Sequence, residues 1–134
     1  MKKDNVSRLP DTISEGEVFK HSLEVNEQEK KKGTVERAIL ILKPGSKIKQ
    51  HLHPVGGKVE EPGVGGVTET YTVLSEDVAI NGKPTQRLGV YQCGLGQWHG
   101  AENLSDVHAS LIYAEKHSVE QMGYKKEEKG DNVR

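Results

Sequence analysis

No stretch of this sequence approaches the ~20 consecutive apolar residues that a bilayer-crossing helix requires, so no membrane span is expected. The chain has a single cysteine, Cys93, which excludes an intramolecular disulfide framework and fits a reducing, cytoplasmic setting. Cys93 itself reads as a small core filler rather than a nucleophile. Charge of one sign is also missing: 19 basic residues face 20 acidic ones, for a formal net charge of -1. Without a polybasic field, neither nucleic acid nor an anionic membrane surface is an expected partner. The amino-terminal Met1-Lys2-Lys3-Asp4-Asn5 carries two lysines but no apolar run behind them, so no secretory leader is expected. A long amphipathic helix is absent too.

What is present is a series of short segments with strand periodicity, punctuated by glycine, proline and asparagine. Val18 to Val25 alternates apolar and polar residues. Asn26 to Gly33 is charged, with no apolar face to pack, and reads as a solvated connection rather than a turn of helix. Thr34 to Leu42 is the clearest strand, with Ala38, Leu40 and Leu42 on one face and Ile39 and Ile41 on the other. Apolar residues on both faces suggest a central strand or one covered by a second subunit, and a homodimer is expected. Further strands are expected over Lys47–His53, Thr68–Ser75, Val78–Ile80, Arg87–Gln92, Gln97–Glu102 and Val107–Ala114. Asn81-Gly82 is the strongest hairpin signal, because a type I′ turn needs positive φ at both central positions. Residues 1–16 read as an irregular lead-in, 17–121 as one β domain, and 122–134 as a charged, flexible tail. The class is all-β, an antiparallel barrel or sandwich.

The chemistry gathers between Gly45 and Asn103. On an extended strand residues two apart share a face, so His51 and His53 project the same way with Leu52 opposite. Glu69 from a second strand and His99 from a third bring three imidazoles and a carboxylate towards one point. That donor set suits one divalent transition metal, with Fe, Mn, Ni, Zn and Cu all admissible, and leaves coordination positions for water or a small-molecule ligand. Alternation carries the same reasoning to the neighbours. Lys49 is expected inside beside His51, Tyr71 beside Glu69, and Gln97 beside His99. Lys49 could meet an anionic group of a ligand, Gln97 could orient substrate, and Tyr71 could donate a proton. Trp98 is expected to face away from the metal and pack between sheets or at an interface. His21, His108 and His117 have no such company and read as structural or solvated.

The spacing of these residues resembles the cupin superfamily. Its first motif runs glycine, five residues, His-x-His, a short gap, Glu, six residues, Gly; its second runs Pro-x-Gly, two residues, His, three residues, Asn. Here Gly45 precedes His51-Leu52-His53 by five residues, and six residues separate Glu69 from position 76. Gly94-Leu95-Gly96 stands two residues before His99, with Asn103 three residues beyond it. The resemblance covers residues 34–114 and implies a small single-domain cupin, a double-stranded β-helix or jelly roll, with His51, His53, Glu69 and His99 as ligands. Three departures stand out. Fifteen residues separate His53 from Glu69, Glu76 replaces the glycine, and Gly94 replaces the proline. The long gap makes Glu60 and Glu61 rival ligands, but Glu69 alone leads directly into a strand and keeps the six-residue spacing. The segment 54–67, with five glycines and two prolines, then reads as a loop at the barrel mouth, poised as a lid or simply inserted. The resemblance implies a family of isomerases, epimerases, lyases, decarboxylases and dioxygenases besides proteins that only bind ligands. The leading expectation is a metal-dependent enzyme acting on a small polar metabolite, such as a sugar or a hydroxy or keto acid; the alternative is a non-catalytic ligand-binding or sensing module.

Overall fold

The computed structural model describes residues 6–52, 67–94 and 97–118. His53, nearly all of the glycine-rich loop and the carboxy-terminal tail lie outside the described residues. Among the described residues eleven strands and one short helix follow in order: β1 (Val6–Arg8), β2 (Ser14–Glu15), β3 (Val18–Leu23), α1 (Glu27–Lys31), β4 (Thr34–Leu42), β5 (Lys47–His51), β6 (Val67–Val73), β7 (Val78–Ile80), β8 (Lys83–Pro84), β9 (Val90–Cys93), β10 (His99–Asn103) and β11 (Ser110–Ser118). They form two antiparallel sheets, ordered β1-β3-β4-β11-β6-β9 and β2-β5-β10-β7-β8. Among the described residues no helix is long and apolar enough to cross a membrane.

The core lies between the sheets and follows the alternation of the strands. Val18, Leu40, Leu42, Tyr71, Val73 and Ile112 from one sheet meet Ile48, Val78, Ile80 and Ala101 from the other. Complete burial of one such aliphatic side chain is worth roughly 1.5–3 kcal/mol. β4 is central, hydrogen-bonded to β3 on one side and β11 on the other, and the outward Ile39 and Ile41 are only half-buried.

Turns fall where the residue types demand them. Asn81 and Gly82 have φ of 53° and 80° and join β7 to β8, as a type I′ pair should. In the turn after β6 the positive φ, 64°, falls on Asp77, which tolerates it, so Glu76 does not have to adopt it. Asn103 is fully buried, donates to the carbonyls of Leu42, Lys43 and His108, and accepts from the amide of Ser105. It thereby ties the β4–β5 corner to the loop after β10.

Two local expectations are corrected. Residues 26–33 contain α1, held by a capping box in which the Asn26 side chain accepts from the Glu29 amide and Glu29 receives the Asn26 amide. Arg37 also pairs with Glu29, at 3.4 Å, anchoring a helix that buries no residue of its own. The amino-terminal lead-in is not wholly irregular either. β1 pairs with β3, and β2 adds a two-residue edge to β5.

Candidate metal centre

β6 and β10 deliver two ligands by regular alternation. On β6, Val67, Glu69, Tyr71 and Val73 share the inner face; on β10, His99, Ala101 and Asn103 do. Glu69 and His99 are 5% and 1% exposed, burial that a carboxylate tolerates only with a partner. The partner is there: His99 Nε2 lies 3.0 Å from Glu69 Oε1.

β5 delivers the third ligand irregularly. His51 sits opposite His99, but Ile48, not Lys49, sits opposite Ala101. Three residues of β5 therefore span two of β10, which is a β-bulge. Gly100 makes it possible, because a Cβ there would stand 2.6 Å from the Ile48 carbonyl oxygen and 3.1 Å from the Gln50 nitrogen. The extra residue lets Ile48 and His51 both face the interior although they are three apart.

His51, Glu69 and His99 consequently converge, with one ligand atom from each lying within 4.8 Å of the others. The two imidazole centroids are 4.4 Å apart. Each ring is oriented from behind by a backbone carbonyl two residues earlier. His51 Nδ1 is 2.8 Å from the Lys49 oxygen, and His99 Nδ1 is 3.1 Å from the Gln97 oxygen. Such carbonyls accept from the Nδ1–H and leave the Nε2 lone pair to the cluster. For His99 that would set a lone pair against a carboxylate oxygen inside the core, an arrangement that requires a cation or a proton between them. A tetrahedral or octahedral divalent metal fits this donor set.

Tyr71 lies beside the cluster, 1% exposed, its ring centroid 5.8 Å from that of His99. Burial, then the negative charge of Glu69 and the nearby Cys93, push its phenol well above the usual range, and its hydrogen bond to Glu69 adds to this. Tyr71 is thus held as a neutral donor to Glu69. Burial and the Glu69 charge push the Cys93 thiol up to about 11, so it stays protonated at neutral pH and packs as a core residue.

Two expected neighbours are elsewhere. Lys49 does not line the interior: the bulge turns it out, where it is exposed and its amide donates to Ile13. Gln97 is also exposed, and its side chain folds back to accept from the Gly94 amide at 2.8 Å. What Gln97 gives the site is its carbonyl. Trp98 does face away from the cluster, but at 61% exposed it does not pack between the sheets. Of the four expected ligands, three are brought together; the placement of His53 is outside the described residues, as are Glu60 and Glu61.

While His99 is buried, His51 and Glu69 reach the wall of a cavity of about 340 Å³ between the sheets. Its lining is mostly apolar, including Leu9, Ile13, Leu40, Ile48 and Ala114, with His51, Glu69 and Tyr71 on one side. Lys20, Glu36 and Lys116 line another part of it. These three escaped the sequence reading, although each lies on the inward parity of its strand: Val18 with Lys20, Ala38 with Glu36, Ala114 with Lys116.

The same two-sheet arrangement recurs in known structures. A predicted oxalate decarboxylase from Thermotoga maritima superimposes with a TM-score of 0.65 and 23% identity over 87% of this chain and 94% of its own. A cupin-like protein from the same organism gives 0.54 and 15% over 93% and 95% of the two chains. An acetylacetone dioxygenase from Acinetobacter johnsonii gives 0.55 and 15% over 88% and 70%. The fold is that of the cupins. No family model and no curated protein matches the chain. At these identities the shared cupin fold says nothing about substrate.

Proposed function

We propose that the chain is a metal-dependent cupin enzyme acting on a small polar metabolite, a sugar or a hydroxy or keto acid, at an open metal site. One observation carries this reading. His51, Glu69 and His99 converge with both rings oriented from behind, and two of the three, His51 and Glu69, reach the wall of a cavity. His53 completes the proposed ligand set. A bound divalent metal would supply Lewis acidity, polarising a carbonyl or hydroxyl or acidifying a water. The protein's own part is to hold that charge on a dry wall, with Tyr71 steadying Glu69 and the apolar lining excluding solvent. Among the structural neighbours, a predicted decarboxylase and a dioxygenase are compatible with this class of activity.

A second reading has an observation of its own. Tyr71 is 1% exposed and hydrogen-bonded to Glu69, so its hydroxyl is engaged by a proposed metal ligand rather than presented to a substrate. If no other group moves the proton, the site binds a ligand without turning it over. Metal analysis of untagged protein, followed by a turnover screen of hydroxy and keto acids with wild type and Tyr71→Phe, separates the two. Turnover lost in Tyr71→Phe while metal content stays intact supports an enzyme using Tyr71. Metal-dependent binding with no turnover in either protein supports the binding module. A wild-type protein that takes up no divalent metal ends both readings.

A further inference from the structure

The Lys20, Glu36 and Lys116 group asks for an explanation that the metal centre does not supply. All three side chains are on the inner face of the larger sheet, and 26–29% of each remains accessible. Lys20 Nζ is 2.6 Å from Glu36 Oε2, and Lys116 Nζ is 3.3 Å from Glu36 Oε1. One carboxylate thus holds two ammonium groups, one on each oxygen, and the group carries a net charge of +1. A single lysine would neutralise Glu36; the second leaves an excess cation on a mostly apolar wall. Each ammonium has three N–H donors and uses one on Glu36, so donors remain for a further acceptor. Glu36 keeps the two ammonium groups close together despite their mutual repulsion.

The register places this group beside the metal site. Lys116 on β11 is directly opposite Glu36 on β4 and directly opposite Glu69 on β6. Cross-strand neighbours have Cβ atoms roughly 5 Å apart, so the lysines and the metal ligands border one cavity within reach of one small molecule. Leu40 and Ala114 make the wall beside the lysines apolar.

We propose that Lys20 and Lys116, positioned by Glu36, form an anion subsite that takes the carboxylate of a short aliphatic acid whose other, oxygen-bearing end lies at the metal. This rests on the proposed metal site for the second end only. An ammonium pair on an apolar wall recognises carboxylate charge in a way that water-facing lysines do not, because the field there is less screened. A neutral sugar would offer the two ammonium groups no charge to meet, so the subsite favours acids within the proposed substrate class.

The test uses α,ω-dicarboxylates from malonate to adipate, with glutaramide as the uncharged comparator, titrated calorimetrically into metal-loaded and chelator-stripped full-length protein. At least one acid is expected to bind the loaded protein, and glutaramide at least tenfold more weakly. Lys20→Met/Lys116→Met should lose at least tenfold in acid affinity with metal content unchanged, each single variant falling between. Lys20→Arg/Lys116→Arg, which keeps both charges, should retain most of the binding. Should the double methionine variant not fold, the single variants decide. Unchanged affinity in the methionine variants, equal binding of glutaramide, or no binding of any acid to the wild type overturns the subsite. A wild type that lacks metal yet still binds these acids through its lysines would remove the metal reading and leave the anion subsite standing.

Discussion

Two strand pairs supply the candidate site, and they obey different rules. β6 and β11 run in unbroken register from Ile112↔Val73 to Ser118↔Val67, so inward residues recur at every second position and Glu69, Tyr71, Ala114 and Lys116 all line the cavity. β5 and β10 pair through a bulge, with Ile48 and His51 inward and the two residues between them turned out. The regular pair makes a wall; the bulged pair aims one ring. A ligand on a straight strand inherits the direction that alternation gives it, whereas His51 owes its direction to an extra residue and to a glycine on the neighbouring strand.

That contrast can be broken first at the metal. His51→Ala/His99→Ala takes one ligand from each side of the bulge and is expected to reduce metal from near one per chain to none by elemental analysis. Full metal in that variant would mean the ion sits elsewhere. Next in size is Gly100→Ala, whose methyl would stand 2.6 Å from the Ile48 carbonyl. The bulge must shift, at a cost of about 2 kcal/mol in denaturant unfolding, and His51 must lose its aim, so metal affinity should fall as well. Ala38→Gly, on the regular ladder, should cost about 1 kcal/mol and leave metal affinity alone. Equal metal affinity in the two variants would deny the bulge its role.

A smaller effect concerns Glu36. Burial raises its carboxyl pKa, but the hydrogen bonds and charges of Lys20 and Lys116 outweigh that and hold it below the ordinary value of 4.5. A depressed carboxyl contributes stability that is present above 4.5 and lost as pH falls through the lowered value. Glu36→Gln should therefore flatten the acid side of the stability curve by about 1 kcal/mol, seen as a smaller loss of melting temperature between neutral pH and the acid limb. An identical acid limb in the variant would show that the pair contributes nothing to folding. Smallest is Lys49→Ala. Because the bulge turns Lys49 outward, stability should change by less than about 0.5 kcal/mol, with metal and acid binding as in the wild type. A tenfold loss of acid binding would place Lys49 back inside.

Much of this was legible in the sequence, and the misses have physical causes. β4 and β7 occupy the expected residues because apolar alternation and the Asn81-Gly82 turn are local signals. Lys49 was misplaced because the bulge depends on Gly100, some fifty residues away, whose amide donates to Asn81 in the β7–β8 turn. Gln97 was misplaced because its strand begins two residues later than alternation suggested. The capping box of α1 was readable in Asn26 and Glu29, but a helix with no apolar face had no apparent reason to form. Lys20, Glu36 and Lys116 were readable by parity, yet charged residues on strands are ordinarily solvated, and only the register shows that they meet.

Glu36, Lys116 and Glu69 stand on three adjacent strands, and the backbone ladder fixes strand separation at roughly 4.8 Å. The interior therefore carries a ruler whose divisions are hydrogen bonds rather than side-chain rotamers. A guest gripped at both ends is matched to that length, since the strands that carry the two ends cannot separate without breaking the sheet. Along a homologous series of acids, affinity should rise to one chain length and fall on both sides, and conservative changes of side chain should alter its height more readily than its position.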